Sequence, residues 1–193
     1  QVGAHDGSFD DPFAKYISKF THSVLVEPQT EQYEKLVAKY SGNPRVSLRR
    51  AAVAEHSGTL TLFRAQIEGA DEFGTAIASK NSEQVLSEVE RCLGKSSLSK
   101  TQIEQEVVPA VTMAELLSSE LSDPNTLTIL ASDTEGSDAV VVKGALAECG
   151  IKPPIILYEH LHVPATDNQE LVRELGALGY QLSSSHKDTL AVL

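Results

Sequence analysis

The residues with the clearest chemical potential stand where predicted strands end. Gly3 and Gly7 flank a short polar turn, and Glu27 follows the next predicted strand. Further acidic and histidine side chains follow two later strands, at Asp133, Glu135, Glu159, His160 and His162. In open α/β sheets, ligands bind outside the carboxyl ends of the strands, so these residues are candidates for one shared site.

The first turn and Glu27 favour a cofactor that contains a nucleoside. Gly3 and Gly7 allow a tight turn and a close approach of the backbone to a ligand, and a carboxylate such as Glu27 can accept both hydroxyls of a ribose. The sequence lacks the Gly-x-Gly-x-x-Gly turn that holds a pyrophosphate and the Walker lysine, which disfavours an NAD-dependent dehydrogenase. Adenosine without a diphosphate fits better, and this indicates S-adenosylmethionine.

Alternating strand and helix patterns position these residues. Strands are predicted over 23–26, 46–54, 59–63, 126–132, 154–158, 180–183 and 189–193. Helices are predicted after Asp10, Asp11 and Pro12, and over 30–40, 82–92, 111–121, 137–149 and 168–178. Such repeated strand–helix units predict an α/β fold with a mainly parallel sheet and helices on both faces. The short link between the last two strands permits only a hairpin, so that pair should be antiparallel.

Composition narrows the classes of function. The chain is predicted to form a single domain over 1–193, with an irregular insertion or lid at about 66–101. With 16 basic and 27 acidic residues the formal net charge is −11, which disfavours a general nucleic-acid binder. No apolar run is long enough to span a membrane.

The two cysteines match no zinc spacing, and we interpret them as free thiols in a reducing compartment, the cytoplasm or an organelle interior. The sequence begins with a turn, and the strand expected before that turn is largely missing from the chain as given. This interpretation allows for a targeting segment upstream of Gln1.

The order of several short motifs resembles the FkbM-type methyltransferase family. These motifs are QVGAHDG at the start, LVEPQ at 25–29, AAVA at 51–54 before SGTLTL at 57–62, SDTEG at 132–136, EHLH at 159–162 and DTLAV at 188–192. The resemblance covers essentially the whole chain, and the SDTEG motif and the order of the motifs are its most specific parts.

The resemblance implies an S-adenosylmethionine-dependent methyltransferase with a Rossmann-like, doubly wound, seven-stranded sheet. It implies O-methylation of a hydroxyl on a sugar or small metabolite, so the expected partner is a small-molecule or glycan acceptor. The implied cofactor-binding set is Gly3, Ala4, His5, Asp6, Gly7, Glu27, Pro28, Ala52, Val53 and Asp133.

Within that set the first turn would face the methionine moiety, Glu27 the ribose, and Ala52 and Val53 the adenine. The implied catalytic set is His160, Asp133, Glu135 and Glu159. A hydroxyl acceptor must lose a proton as it attacks, and His160 is the first choice for the base and Asp133 the second.

This chain departs from the family pattern at three places. His5 stands where asparagine is usual, Ala131 and Ser132 replace a polar or basic residue followed by isoleucine, and Ser137 replaces an aromatic or acidic residue. A second interpretation therefore stays open, in which a catalytically inactive methyltransferase-like domain serves as a structural or interaction subunit with a partner protein.

A metal site is also open at the sequence level. Oxygen and nitrogen ligands for a divalent cation are available at Asp133, Glu135, Glu159 and His160. No metal ligand is assigned from the sequence.

Overall fold

The structure is a computed structural model, and it describes residues 1–8, 11–67 and 77–193. The helices are α1 (Thr30–Tyr40), α2 (Ser82–Leu93), α3 (Lys95–Leu98), α4 (Met113–Glu120), α5 (Asp138–Lys143) and α6 (Ala165–Ala177). A π-helical turn, Gly144–Glu148, continues α5, and 3₁₀ turns span Ile17–Lys19 and Pro124–Thr126. Among the described helices, none is both long and apolar enough to cross a membrane.

Ten strands are described between and around these helices. They are β1 (Ser23–Val26), β2 (Val46–Arg49), β3 (Ala52–Val53), β4 (Gly58–Ile67), β5 (Ala78–Ser79), β6 (Thr101–Val111), β7 (Ile129–Ser132), β8 (Ile155–Glu159), β9 (Gln181–Ser184) and β10 (Asp188–Val192). The predicted strand at 59–63 is confirmed but is longer than expected, because β4 continues to Ile67.

The chain folds as two compact units. One contains Gln1–Gly58 and Pro109–Leu193, and the other contains Thr59–Val108. In the second unit, Val85 and Val89 of α2 pack with Ala65 and Ile77 in a hydrophobic cluster. The predicted insertion at 66–101 falls within this unit, and its predicted helix is confirmed as α2. Residues 68–76 of that insertion lie outside the described residues.

Parallel pairing places the first turn between two strands. β1 pairs in parallel with β2, and β7 pairs in parallel with β8. Val2 makes parallel bridges to Val26 of β1 and to Ser132 of β7, so the start of the chain lies between these two strands. β10 pairs antiparallel with both β8 and β9, which confirms the predicted hairpin at the end of the chain.

The expected single seven-stranded, mainly parallel sheet is corrected to a mixed α/β arrangement. A two-stranded sheet holds β1 and β2, a four-stranded sheet has the order β7-β8-β10-β9, and another has the order β3-β6-β4-β5. The strand predicted over 46–54 is divided, because β2 pairs with β1 only as far as Arg49. Ala52 and Val53 pair instead with the end of β6.

The hydrophobic core of the first unit covers both faces of β1. Leu25 packs with Leu36 and Tyr40 of α1, whereas the neighbouring Val26 belongs to the main cluster. Successive strand residues point to opposite faces, so helices cover β1 on both sides. The main cluster contains the fully buried side chains of α5, β8 and α6, at Val141, Val142, Ile156, Tyr158, Leu171 and Leu175.

The helix predicted after Asp11 and Pro12 is wrong, except for the 3₁₀ turn at Ile17–Lys19. The carboxylate of Asp11 accepts a hydrogen bond from the backbone N–H of Phe13 at 2.7 Å, which closes a local turn instead of capping a helix. Phe13 and Ile17 still pack in the hydrophobic cluster around Leu25. Asp10, which was part of this predicted helix start, lies outside the described residues.

Candidate functional site

The turn that begins at Gly3 is held against the loop that follows β7. The backbone N–H of Asp133 donates to the carbonyl of Val2 at 3.0 Å, and the N–H of Gly3 donates to the carbonyl of Val26 at 2.9 Å. Gly3 has a φ of +77°, and a Cβ at this position would lie 1.7 Å from the backbone oxygen of Asp133. Glycine is therefore required here for both backbone conformation and space.

The far end of the turn packs on α1. A Cβ on Gly7 would lie 2.7 Å from Cε2 of Tyr40 and 2.8 Å from Cδ1 of Leu36. The hydroxyl of Tyr40 and the ammonium of Lys39 both donate to the carbonyl of Gly7. Lys39 also donates to the Ser8 hydroxyl at 2.7 Å. The turn is thus fixed by the loop after β7 at one end and by α1 at the other.

Glu27 joins the turn to the end of β1. It is 3% exposed, and its two carboxylate oxygens accept hydrogen bonds from two backbone N–H groups. Oε2 accepts from His5 at 2.8 Å, and Oε1 accepts from Gln29 at 2.9 Å. The structure therefore brings together the turn and the acidic residue that the sequence predicted to share a site, with Pro28 directly after Glu27.

His5 adopts a left-handed backbone conformation, with a φ of +48°. Asparagine and histidine are both enriched among the non-glycine residues that tolerate this region. His5 can therefore fill the backbone role of the asparagine expected from the family pattern. Burial lowers the pKa of the His5 ring, and the nearby Asp6 carboxylate opposes this shift.

Substitutions at His5 should separate its backbone role from its side chain. We expect His5→Val to be less stable than His5→Asn by about 1–2 kcal/mol, because a β-branched residue is strained at positive φ. Urea unfolding of both variants beside the wild type measures this difference. Equal stability of the two variants would show that the left-handed conformation at His5 is not needed.

The loop after β7 is organised by Asp138, which the sequence analysis missed. Asp138 is fully buried at the start of α5, and its carboxylate accepts hydrogen bonds from two hydroxyls. Ser132 Oγ donates at 2.6 Å and Thr134 Oγ1 at 2.9 Å. Burial is the main cause that raises the pKa of Asp138. The signal in the sequence was the pair of hydroxyl residues that precede this acidic residue.

Asp133 carries the most perturbed carboxyl of the predicted set. Its pKa is raised to about 8, first by the protein atoms that surround it and then by neighbouring carboxylates. The nearby carboxylates are those of Glu159, Glu135 and Asp138, and Lys187 opposes them. The residue as a whole is exposed, so water weakens the contribution of the surrounding protein atoms, and the neighbouring carboxylates raise the pKa in the same direction.

Two of the predicted acidic residues meet at a single histidine nitrogen. Nδ1 of His162 lies 2.8 Å from Oε2 of Glu135 and 2.8 Å from Oε2 of Glu159. Hydrogen bonds to these two carboxylates raise the pKa of His162 to about 11, whereas burial opposes the shift. Glu135 reaches this position from a left-handed backbone, with a φ of +54°. We call Glu135, Glu159 and His162 the carboxylate–histidine cluster.

The ring of His160 contacts β10 instead of the carboxylate–histidine cluster. Its ring Nδ1 is 3.0 Å from the Thr189 hydroxyl, and its backbone N–H donates to the carbonyl of Lys187 at 2.7 Å. The structure thus brings Glu135 and Glu159 together with His162, a strand-end candidate that the implied catalytic set does not contain. The expected role of His160 as a base stays a prediction.

Ala52 and Val53 are buried in β3, 7% and 4% exposed, and Val53 belongs to the main hydrophobic cluster. These positions give both residues a packing role, and their predicted place near an adenine stays a prediction.

A cavity of about 230 Å³ lies between β1 and β7, toward the start of both strands. Apolar side chains line much of it, among them Val24, Leu117 and Leu130. None of the described lining residues belongs to the predicted cofactor or catalytic sets. This cavity is therefore separate from the loops that meet at Gly3 and Asp133.

The mixed α/β fold, with loops that meet beside Gly3 at the ends of β1 and β7, defines the class of the chain as an α/β protein. Within that class, residues 1–182 match the sequence family described as Methyltransferase FkbM domain. The chain belongs to the FkbM methyltransferase family.

A solved structure supports the fold. The crystal structure of Methyltransferase FkbM from Methylobacillus flagellatus KT is similar to this chain, with a TM-score of 0.57 and 14% sequence identity. The similarity covers 100% of this chain and 42% of that chain, so this chain spans less than half of that protein's length. At such low identity the likeness concerns the fold alone. No curated protein matches the sequence.

Proposed function

We propose that the protein is an S-adenosylmethionine-dependent methyltransferase that methylates a hydroxyl group of a sugar or small metabolite. The observation that carries this proposal is the turn at Gly3, which is locked between the ends of β1 and β7. From Val2 the chain continues to β1 and β2 on one side and later returns to β7 and β8 on the other. Ligands bind at such reversals of strand order in α/β sheets.

The residues around this turn fit an adenosine-containing cofactor. Two backbone N–H groups, from His5 and Gln29, orient the Glu27 carboxylate, so a ribose would meet an acceptor that is already fixed in place. When bound, S-adenosylmethionine supplies a methyl group that its positively charged sulfonium has activated. Asp133 follows β7 beside Gly3, and a cation bound there would favour the ionised form of its carboxyl.

The remaining task of the protein is to orient an acceptor and to take its proton. Holding two reactants in line contributes about 7–11 kcal/mol, and a positioned base contributes about 10²–10⁴ in rate. As the oxygen–carbon bond forms and the carbon–sulfur bond breaks, the hydroxyl proton must pass to a base. Asp133 lies against Gly3 through its backbone, whereas His160 lies against Thr189. This placement favours Asp133 over His160 as the proton acceptor.

Calorimetric titration with S-adenosylhomocysteine tests the proposed cofactor site. We expect the wild-type protein to bind with a Kd on the order of micromolar. Glu27→Ala should weaken binding by about 10–100-fold, because hydrogen bonds to a charged group contribute about 1.5–3 kcal/mol. Glu34→Ala, which removes an exposed carboxylate of α1, is the matched control and should bind as the wild type does.

The same titration distinguishes the enzyme from an inactive subunit. A folded wild-type protein that binds no S-adenosylhomocysteine would contradict the proposal and favour a structural or interaction role. Binding that Glu27→Ala leaves unchanged, while its far-ultraviolet circular dichroism stays native, would place the cofactor away from Glu27.

A further inference from the structure

Three side chains from two segments of the chain place their ligand atoms close together. Glu135 lies in the loop after β7, Glu159 ends β8, and His162 follows in the next turn. Their ligand atoms all lie within 4.8 Å of one another. Both glutamates approach the same nitrogen, Nδ1 of His162, at 2.8 Å. A ring nitrogen carries a single hydrogen, so two carboxylate oxygens must share it.

We propose that the carboxylate–histidine cluster binds one divalent first-row transition-metal cation of the Mn²⁺ type. Three protein ligands leave coordination positions open, and we infer that one of them takes the hydroxyl of the methyl acceptor. This second step rests on the proposed function, whereas binding of the cation itself does not.

The distances match a shared metal. Two donor atoms that each lie about 2.1 Å from one metal, at a right angle, are about 3.0 Å apart. The distances of 2.8 Å between Nδ1 and the two Oε2 atoms are close to this value. A cation at this point would be coordinated by both carboxylates at once.

The charge around the cluster also calls for a cation. Carboxylates near it are those of Asp133, Glu135, Asp138 and Glu159, and the nearby basic groups are His162 and Lys187. Two of these carboxyl residues are buried, Asp138 completely and Glu159 at 4% exposure. A buried carboxylate is stable only when its charge is compensated, and a divalent cation would compensate Glu159 together with Glu135.

The donor types select the kind of metal. Magnesium and calcium prefer oxygen ligands alone, whereas an imidazole nitrogen suits first-row transition metals. Carboxylates at two of the three positions suit a harder ion of that series, and Mn²⁺ combines both preferences. A bound metal lowers the pKa of a hydroxyl that coordinates to it, which would ease loss of the acceptor proton.

Electron paramagnetic resonance with Mn²⁺ alone tests the site. Free Mn²⁺ gives the strong signal, so its loss on adding purified protein counts bound ions. We expect one Mn²⁺ per chain, with affinity at least about tenfold weaker in His162→Gln and Glu135→Gln. Glu135 is only half-buried, so its variant should stay folded. The matched controls, His186→Gln and Glu34→Gln, change exposed residues and should bind as the wild type does.

The outcomes separate this inference from the proposed function. Failure of the wild type to bind Mn²⁺, or binding that both His162→Gln and Glu135→Gln retain, would overturn the cation site. A parallel calorimetric titration with S-adenosylhomocysteine reports the cofactor site independently. Cofactor binding without Mn²⁺ binding would contradict only the proposed cation site. Mn²⁺ binding without cofactor binding would contradict only the proposed methyltransferase function.

Discussion

Replacement of Gly3 by alanine should destabilise the protein by about 2–5 kcal/mol. The new Cβ would lie 1.7 Å from the backbone oxygen of Asp133, and a backbone atom does not move aside as a flexible side chain would. Overpacking costs about 1–3 kcal/mol. The left-handed conformation of Gly3 adds about 1–2 kcal/mol for any residue with a Cβ. Urea unfolding, followed by circular dichroism, measures the sum.

Gly42→Ala is the control for this substitution. Its added Cβ would meet no heavy atom within 4 Å, so we expect a change in stability of less than about 1 kcal/mol. If Gly3→Ala folds, the turn and the Asp133 loop must have separated, and affinity for S-adenosylhomocysteine should fall as well. Wild-type stability together with wild-type cofactor affinity in Gly3→Ala would contradict the close packing of the two backbones.

Local sequence signals predicted helix boundaries well where a single local contact, such as a helix cap, determines them. Thr112 and Glu115 have the Thr-x-x-Glu spacing of a capping box at the start of the helix predicted over 111–121, and the Thr112 hydroxyl accepts from the N–H of Glu115 at 3.2 Å. The helix predicted over 30–40 begins and ends as expected. Asp11 shows the limit of such signals, because the same carboxylate that caps helices also closes turns.

The site was predictable only as far as strand ends could be located. Gly3 follows the bridge residue Val2 and Glu27 follows β1, so their meeting is a consequence of the parallel bridge between Val2 and Val26. His160 and His162 both lie in the loop after β8, where the side chains no longer alternate, so spacing does not tell which ring reaches the glutamates. Glu135 reaches His162 from a left-handed backbone, a conformation that sequence spacing does not reveal.

The division between β2 and β3 was not predictable from the local hydrophobic pattern. Residues 46–54 form one apolar stretch in the sequence, yet β2 and β3 have different partners. The break depends on β6, which is distant in sequence, and a local pattern contains no information about that pairing. The resemblance to a family predicted the membership correctly but did not predict this division of the strands.

Asp138→Ala should destabilise the protein by about 2–4 kcal/mol and disorder the loop that carries Asp133 and Glu135. Its carboxylate accepts from the hydroxyls of Ser132 and Thr134, and truncation would leave the buried Ser132 donor without an acceptor. Hydrogen bonds to charged groups contribute about 1.5–3 kcal/mol each. Relief of the buried charge offsets part of that loss.

Asp138→Asn separates the hydrogen bonds from the charge. The amide keeps an acceptor for one hydroxyl, and the other hydroxyl can rotate to accept from the amide N–H₂. Removing the negative charge also relieves repulsion from Glu159, which contributes to the raised pKa of Asp138. We therefore expect Asp138→Asn to lose less than about 1 kcal/mol.

Asp167→Ala is the matched control, because Asp167 also lies in the first turn of a helix, α6, but is exposed. Its favourable interaction with the helix dipole contributes only about 0.3–1 kcal/mol. Urea unfolding of all three variants gives the ranking. If Asp138→Ala is no less stable than Asp167→Ala, the buried carboxylate does not hold the loop, and the positions of Asp133 and Glu135 must depend on their other contacts.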